Sequence, residues 1–340
     1  MQMASFQKNV SVFSLLVIFL LLFSCKTKNS NTLLIEIPDN KKVEIKIHRY
    51  EKVLMNVDAN NLKNELTKYK AEYMLFLDGN LEDSLNLVKI YNFISDPTLH
   101  EINDELIKVY PETNGLEKKL SDAFTHLKYY FPEKPTPKVY SYLSYLDYDN
   151  RIIYLDTVIA VALDMYLGKD YKMYSSVKIP AYASFRLDSN YITSDCMKTI
   201  AKQMIIFDPN DKTLLENMIY MGKILYFADA ILPETADEYK IGYTVSQLEW
   251  MKKNEANIWA FFIQNNLLYN ADYYKIRTFI TEAPSTKGFK DSPPRFAEWI
   301  GWQIVKSFMN NNKNISIKDL LNENDAQKIL KASKYKPNKT

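Results

Sequence analysis

The sequence predicts a helix-rich α+β fold in which a small antiparallel or mixed sheet packs with helices. Three observations predict it. Only seven glycines occur in 340 residues, too few for a fold built on tight hairpins, because Gly is the default residue at left-handed turn positions. Residues 43–47 alternate apolar and polar, and further apolar runs rich in Val, Ile and Tyr fall between residues 138 and 167; both are strand patterns. On either side of those runs apolar residues recur at helical spacing, the arrangement of an α+β domain.

In chain order, Val43, Ile45 and Ile47 alternate with Glu44, Lys46 and His48 as a half-buried strand. Asn61 to Leu77 reads as a helix, Asp78-Gly79-Asn80 as a turn that interrupts it, and Leu81 to Tyr91 as its continuation. Asp104 to Tyr110 and Leu116 to Phe131 are further helices. Pro132, Pro135 and Pro137 form a stiff connector, where a soft subdomain boundary is expected. Lys138 to Leu146 and Arg151 to Leu155, joined by the turn Asp147-Tyr148-Asp149-Asn150, predict a hairpin. Val158 to Leu167 is a third apolar run, ending at Gly168. From Asp195 the pattern is helical. Thr213 to Phe227 sets Leu215, Met218, Ile219, Gly222 and Tyr226 on one face. Thr244 and Gln247 form a capping box ahead of Leu248 and Met251. Asn257 to Leu268 is apolar almost all round and is expected to be central. Ser292 is expected to cap a helix with Pro293 at its first position. That helix carries Trp299, Trp302 and Val305 on one stripe and Ile300, Ile304 and Phe308 on another. No fixed-period repeat is present.

Composition excludes several classes of function. Lys and Arg number 43 against 41 Asp and Glu, and 47% of residues are hydrophobic. That is ordinary globular usage without the electrostatic footprint of a nucleic-acid binder. No two glycines lie within ten residues of each other, which excludes a P-loop or a dinucleotide fingerprint, both of which need clustered glycines against phosphate. The nucleophile elbow, with Gly on both sides of a Ser, is excluded as well. The three histidines, His48, His100 and His126, include no pair at the i, i+4 spacing of a shared metal, and each reads as a surface or packing residue. Asp164, Glu216, Asp229, Glu249 and Glu255 are candidates for the carboxylate pair of a glycosidase, against a default of surface charge or structural hydrogen bonding. Tyr129-Tyr130, Tyr140 to Tyr148 and Tyr273-Tyr274 offer a glycan- or peptide-binding surface, against the favoured reading of a Tyr-rich core. Cys196 reads as a buried apolar residue.

At the N-terminus, Lys8 precedes an apolar stretch from Val10 to Phe23, a positive n-region followed by an h-region. The stretch is shorter than the roughly 20 apolar residues of a membrane span. It closes in Leu22-Phe23-Ser24-Cys25, which resembles the lipobox of bacterial lipoproteins, with Phe23 bulkier than usual at its position. The resemblance implies a signal peptide over residues 1–24, cleavage before Cys25, and acylation of the Cys25 thiol and its new amine. A tether extends from there through residue 31. The competing reading is an uncleaved anchor. Residues 32–136 then form a strand plus a helical part, and residues 137–340 an α+β part, the two expected to make one compact unit.

The second half resembles the gliding-motility lipoprotein family GldB. The likeness is carried by Leu163-Asp164-Met165-Tyr166-Leu167-Gly168-Lys169-Asp170-Tyr171; by Met218 to Phe227 with Asp229 and Pro233; by Ile241-Gly242-Tyr243 with Gln247, Trp250, Asn254-Glu255 and Ile258-Trp259; by Ala283-Pro284, Ser292-Pro293 and Arg295; by Trp299 to Val305; and by Ser333 to Pro337. It runs from about Pro137 to Pro337, and the lipobox and His48-Arg49-Tyr50 fit as well. Pro294 stands where the family pattern has Gly. The resemblance implies a lipid-anchored envelope protein needed for gliding and tied to type IX secretion, with no established enzyme activity. It implies partners among the gliding or secretion machinery and membrane attachment through the acyl anchor. Lys26 follows Cys25 with no acidic run after it, and by analogy with known sorting signals outer-membrane delivery facing the periplasm is expected. A more distant likeness is to predicted zinc peptidases, in which H-E-x-x-H supplies two ligands and a general base. The matching helix, Asp195 to Met204, contains no His and no Glu, and Met221 stands where a later Glu ligand precedes Gly-Lys. The expectation is a degenerate zincin-like domain and a non-catalytic pseudoenzyme without metal or cofactor. Asp164, Lys223, Glu255 and Arg295 are the candidate binding residues; for each, a buried ion pair or helix cap takes precedence.

Overall fold

The computed structural model describes residues 33–208 and 212–337. The expected signal peptide, Cys25 and the expected tether lie outside the described residues. The chain divides after Glu36. Residues 33–36 form no regular element, and every helix and strand belongs to the unit that starts at Ile37. The elements in chain order are β1 (Ile47–Arg49), α1 (Tyr50–Leu54), α2 (Leu62–Tyr69), α3 (Met74–Leu77), α4 (Ser84–Ile94), α5 (Pro97–Val109), α6 (Asn114–Tyr130), β2 (Lys138–Tyr142), β3 (Ile152–Tyr154), β4 (Val158–Ala162), α7 (Met173–Ser176), α8 (Ala181–Ser184), α9 (Ser189–Met204), α10 (Leu214–Ile231), α11 (Asp237–Ile241), α12 (Val245–Gln264), α13 (Tyr273–Ile280), α14 (Phe296–Asn311), α15 (Ile317–Asn322) and α16 (Ala326–Ser333). The architecture is α+β and helix-rich, as expected.

The four strands form one mixed sheet in the order β1-β2-β4-β3. β1, β2 and β4 are parallel, with Ile47 opposite Val139 and Val139 opposite Ile159; β3 runs antiparallel to β4. The expected hairpin is therefore displaced. The tight connection joins β3 to β4 through residues 155–157, and β2 lies between β1 and β4. The turn at Asp147 to Asn150 carries the chain past β4 to its far edge. Because side chains alternate across a strand, Tyr140 and Ala160 face one way, into a core with Tyr50, Leu54, Leu66, Tyr73 and Leu77. This pairing joins residues before the proline connector to residues after it.

The first strand is shorter than the alternation suggests. Ile45 and Ile47 are buried and Glu44 and Lys46 exposed, but ladder pairing begins only at Ile47. Before it, the strand amides are met by side chains of α6. Val43 N–H donates to Thr125 Oγ1 (2.9 Å), Ile45 N–H to Ser121 Oγ (2.9 Å) and Ile47 N–H to Glu117 Oε1 (3.0 Å). Four helical residues rise about 6 Å, and alternate strand residues stand about 6.7 Å apart, so a helix stripe can read an extended chain amide by amide. The Ser121 and Thr125 hydroxyls donate in turn to the carbonyls of Glu117 and Ser121 (both 2.7 Å).

Three further expectations are corrected. The helix of residues 61–77 is two helices, broken where Tyr73 turns inward to pack on Tyr50 and Tyr140. The central helix is α10, not the segment 257–268. On α12 only Leu248, Met251, Glu255, Ile258 and Phe262 are buried, whereas α10 is buried on nearly every side from Gly222 to Ile231. The cause is backbone contact with α14. A Cβ on Gly222 would stand 2.4 Å from the Gly301 carbonyl oxygen, and a Cβ on Gly301 only 1.8 Å from that of Met218. Finally, Ser292 does not cap α14. The N-cap is Arg295, in the left-handed region at φ 53°, and the Ser292 hydroxyl accepts instead from the Thr286 amide (3.1 Å) within the preceding loop. The Thr244–Gln247 capping box is present as expected, and a second one, Thr213–Glu216, starts α10.

Candidate functional site

The loop after β4 is pinned from beneath. Tyr174 O–H donates to the Asp164 carbonyl (3.0 Å) and accepts from Leu167 N–H (2.9 Å). Tyr110 O–H donates to the Tyr166 carbonyl (2.6 Å), and Gly168 N–H donates to the Leu187 carbonyl (2.8 Å). Gly168 takes φ +102°, a conformation L side chains rarely adopt. Beyond it the chain turns outward along a cleft of about 760 Å³, bounded by this loop, α5, the end of the α8 region, the start of α9 and α11. That volume lies in the ordinary range of ligand pockets.

Tyr171, Phe185, Tyr191 and Tyr239 supply the aromatic walls. Glu101 and Glu105, one helical turn apart on α5, line the same cleft with Lys169, Asp170 and Lys172. Burial pushes the Tyr171 hydroxyl up to about 12, and the two glutamates add to the effect. Glu105 reaches Lys108 (3.3 Å), and Asp188 caps α9 through Asn190 N–H (3.0 Å). Glu101, Lys169, Asp170 and Lys172 are exposed.

The four candidate binding residues each bond different partners, and of the sequence candidates Lys223 and Glu216 line one cavity of about 280 Å³. Asp164 is fully buried at the end of β4. Its carboxylate accepts from Ser144 N–H and O–H (3.0 Å each to Oδ2) and from Leu146 N–H (2.9 Å), holding a turn in which Tyr145 and Leu146 both take positive φ (63° and 62°). Burial raises its pKa to about 6, against the pull of those donors. Lys223, on α10, donates to the backbone carbonyls of Leu321 and Glu323 at the end of α15; burial draws its ammonium down to about 8, with Glu323 pulling the other way. Glu255 accepts from Trp299 Nε1–H and Tyr335 O–H (both 2.9 Å), tying α12 to α14 and the C-terminal segment. Arg295 bonds Glu298 (2.6 Å), stands 3.0 Å from Glu282, and lies over the Tyr243 ring.

The remaining carboxylate candidates are also engaged. Glu216 closes its capping box. Asp229 accepts from Trp302 Nε1–H (2.7 Å) and pairs with Lys240 (2.8 Å) and Lys306 (3.3 Å). Glu249 pairs with Lys252 at the surface (3.1 Å). His48 meets Glu72 (3.0 Å), while His100 and His126 bond helix carbonyls. Cys196 is buried and its thiol pushed up, mainly by burial. Among the described residues no three His, Cys, Asp or Glu side chains group to hold a metal ion. The tyrosine pairs are edge-on: Tyr129 and Tyr130 cross at 89°, Tyr273 and Tyr274 at 68°.

A buried charge network lies where the degenerate metal helix was placed. Asp195 pairs with Lys198 (3.0 Å) and Arg151 (3.4 Å) and accepts from Tyr166 O–H (3.0 Å). Burial alone would raise its pKa, but Lys198 and Arg151 hold it well below the usual carboxylate range. Sequence reasoning passed over this network, and it passed over the cleft. Glu101 and Glu105 carry a signal in their i, i+4 spacing, and Lys169 to Tyr171 stand inside a stretch that carries the family likeness.

Together, fold and cleft define a helix-rich α+β protein with a small mixed sheet and an open, aromatic-walled cleft at the end of a parallel strand. The family emerges from the sequence as a whole: the model described as gliding motility protein GldB matches residues 31–337, and the chain belongs to this family. Membership ties it to gliding motility and to a family of lipoproteins. No curated protein and no solved structure matches it, so the zincin-like expectation is left without a structural counterpart. Among the described residues no helix is long and apolar enough to cross a membrane.

Proposed function

We propose that this chain is a lipid-anchored envelope protein, held through Cys25 at the outer membrane facing the periplasm. It supports gliding motility, and type IX secretion with it, as a non-catalytic scaffold that holds a partner of that machinery. One observation carries the reading. Of the stretches that carry the family likeness, most are accounted for by packing: Gly222 against Gly301, Glu255 on Trp299, Asp229 on Trp302, Arg295 on Glu298. Apart from Lys334 and Lys336 at the C-terminal end, Lys169 and Asp170 alone among the charged residues of that likeness are exposed without a side-chain partner among the described residues, and they line the cleft. Of the five carboxylates considered for acid–base chemistry, Asp164, Glu216, Asp229 and Glu255 are engaged in caps or buried contacts and Glu249 lies at the surface beside Lys252, which supports a binding role.

The test is a crosslinked pull-down of the anchored protein from intact cells, beside a Cys25→Ala form that cannot be acylated. Recovery of gliding or secretion components with the anchored form alone is the expected result. Recovery of the protein with bulk membrane proteins only would overturn the reading. A second reading, an envelope hydrolase acting on peptide or glycan, is favoured by the placement of Glu101 and Glu105 together in the cleft. It requires turnover that Glu101→Gln abolishes.

A further inference from the structure

Charges of both signs line the cleft and leave one another alone. Glu101 stands on α5; Lys169, Asp170 and Lys172 stand on the loop after β4. Among the described residues none of these four side chains has an ion-pair partner within 4 Å, although both signs share one cavity. An occupant that satisfies such a cleft carries both signs itself and apolar surface between them. The walls agree. Tyr171 meets Tyr174 at 86°, Phe185 meets Tyr191 at 85°, and Tyr191 meets Tyr239 at 72°. Rings set edge to face offer no coplanar pair for a sugar to span. They do form steps over which aliphatic stems and a cation can lie.

We infer that the cleft receives an extended peptide segment of a partner protein, with a basic side chain directed to Glu101 and Glu105, an acidic side chain directed to Lys169 and Lys172, and apolar atoms on Tyr171 and Tyr239. This rests on the scaffold reading and specifies what the scaffold holds. Ion pairs at a cleft rim contribute to selectivity and on-rate more than to raw affinity. Binding is therefore salt-sensitive and discriminates by charge pattern.

The experiment uses the purified full-length protein and three probes: a blocked octapeptide with two lysines and two aspartates around a central leucine, a blocked uncharged octapeptide of the same length, and a chitin trisaccharide. Saturable binding is expected for the charged peptide alone. Glu101→Lys and Lys169→Glu should each weaken it on the order of tenfold, about the effect of one rim ion pair plus a new repulsion. Both sites are exposed, so melting temperatures should stay unchanged. The inference is overturned if the charged peptide does not saturate, if the uncharged peptide binds equally, if neither reversal matters, or if the trisaccharide binds in its place. The cellular pull-down separates this from the broader reading. If a Glu101→Lys, Lys169→Glu form recovers the same components as the unaltered protein, the scaffold stands and the cleft is not its grip.

Discussion

At Asp164 one carboxylate takes on a cost that glycine usually avoids. The chain has seven glycines, and eight described residues other than Gly take positive φ. For side chains other than Asn and Asp, each such residue costs roughly 1–2 kcal/mol by crowding between Cβ and the following carbonyl. Tyr145 and Leu146 do so consecutively, and the Asp164 carboxylate binds the amides on either side of Tyr145. Because burial raises the Asp164 pKa from 3.8 to about 6, the folded state holds that proton more tightly than the unfolded chain. The contribution to stability is complete below pH 3.8 and is lost as pH rises through about 6. Asp164→Asn has no such titration. Urea denaturation across roughly pH 3.5 to 7 should show the unaltered protein losing, relative to the variant, on the order of 3 kcal/mol over that window; parallel curves would refute it. Little of this was legible in the sequence. Asp164 is visible as an acidic residue in an apolar run, but its donors lie eighteen and twenty residues earlier, in a turn whose handedness no local rule assigns to Tyr-Leu.

Helices were legible where their signals were local. Thr244 and Gln247 lie three apart and cap as read, whereas α5, expected from Asp104, starts at Pro97 with Asp96 as its cap, a local signal that the apolar spacing passed over. What periodicity missed was which helix lies at the centre, because centrality depends on partners far along the chain. Gly222 and Gly301 say little singly, and only their meeting lets α10 and α14 touch by backbone. Gly301→Ala should therefore cost about 3 kcal/mol, at the upper end for overpacking, since the clash is with backbone and no side chain can swing away. Thermal denaturation reads this directly. Gly115→Ala, where nothing lies within 4 Å, should stabilise α6 by about 0.5–1 kcal/mol, and a comparable loss at both sites would show that the crossing is not the cause. The displaced hairpin has a similar origin: two strands with a turn between them read as neighbours, but the edge they use is settled by which strand lies parallel to β1.

For the molecule as a whole, structural demand and exposed chemistry fall on different residues. Buried polar groups tie separate parts of the chain together, Glu255 to Trp299 and Tyr335, Asp229 to Trp302 and Lys240, Asp195 to Tyr166 and Arg151. Their loss should appear as unfolding. Among the described residues Lys169 and Asp170 have no side-chain partner, and their loss should appear as function. Paired Ala substitutions at Lys169 and Asp170 are expected to leave the melting temperature within the small range typical of surface sites while impairing gliding on agar. Unaltered gliding would remove the cleft from consideration. By contrast, Glu255→Ala should lower the melting temperature before any motility assay becomes interpretable, because the buried Trp299 donor and the half-buried Tyr335 hydroxyl lose their acceptor.

The rungs between α6 and residues 43–47 also have a mechanical meaning. A pull on the N-terminal end along the axis of that segment meets the bonds to Thr125, Ser121 and Glu117 in shear, loading all three together. A pull across the axis meets them singly, and the segment peels like a zip. The same three contacts thus make a joint that is strong in one direction and yielding in another, with the β1 ladder as the stop behind it.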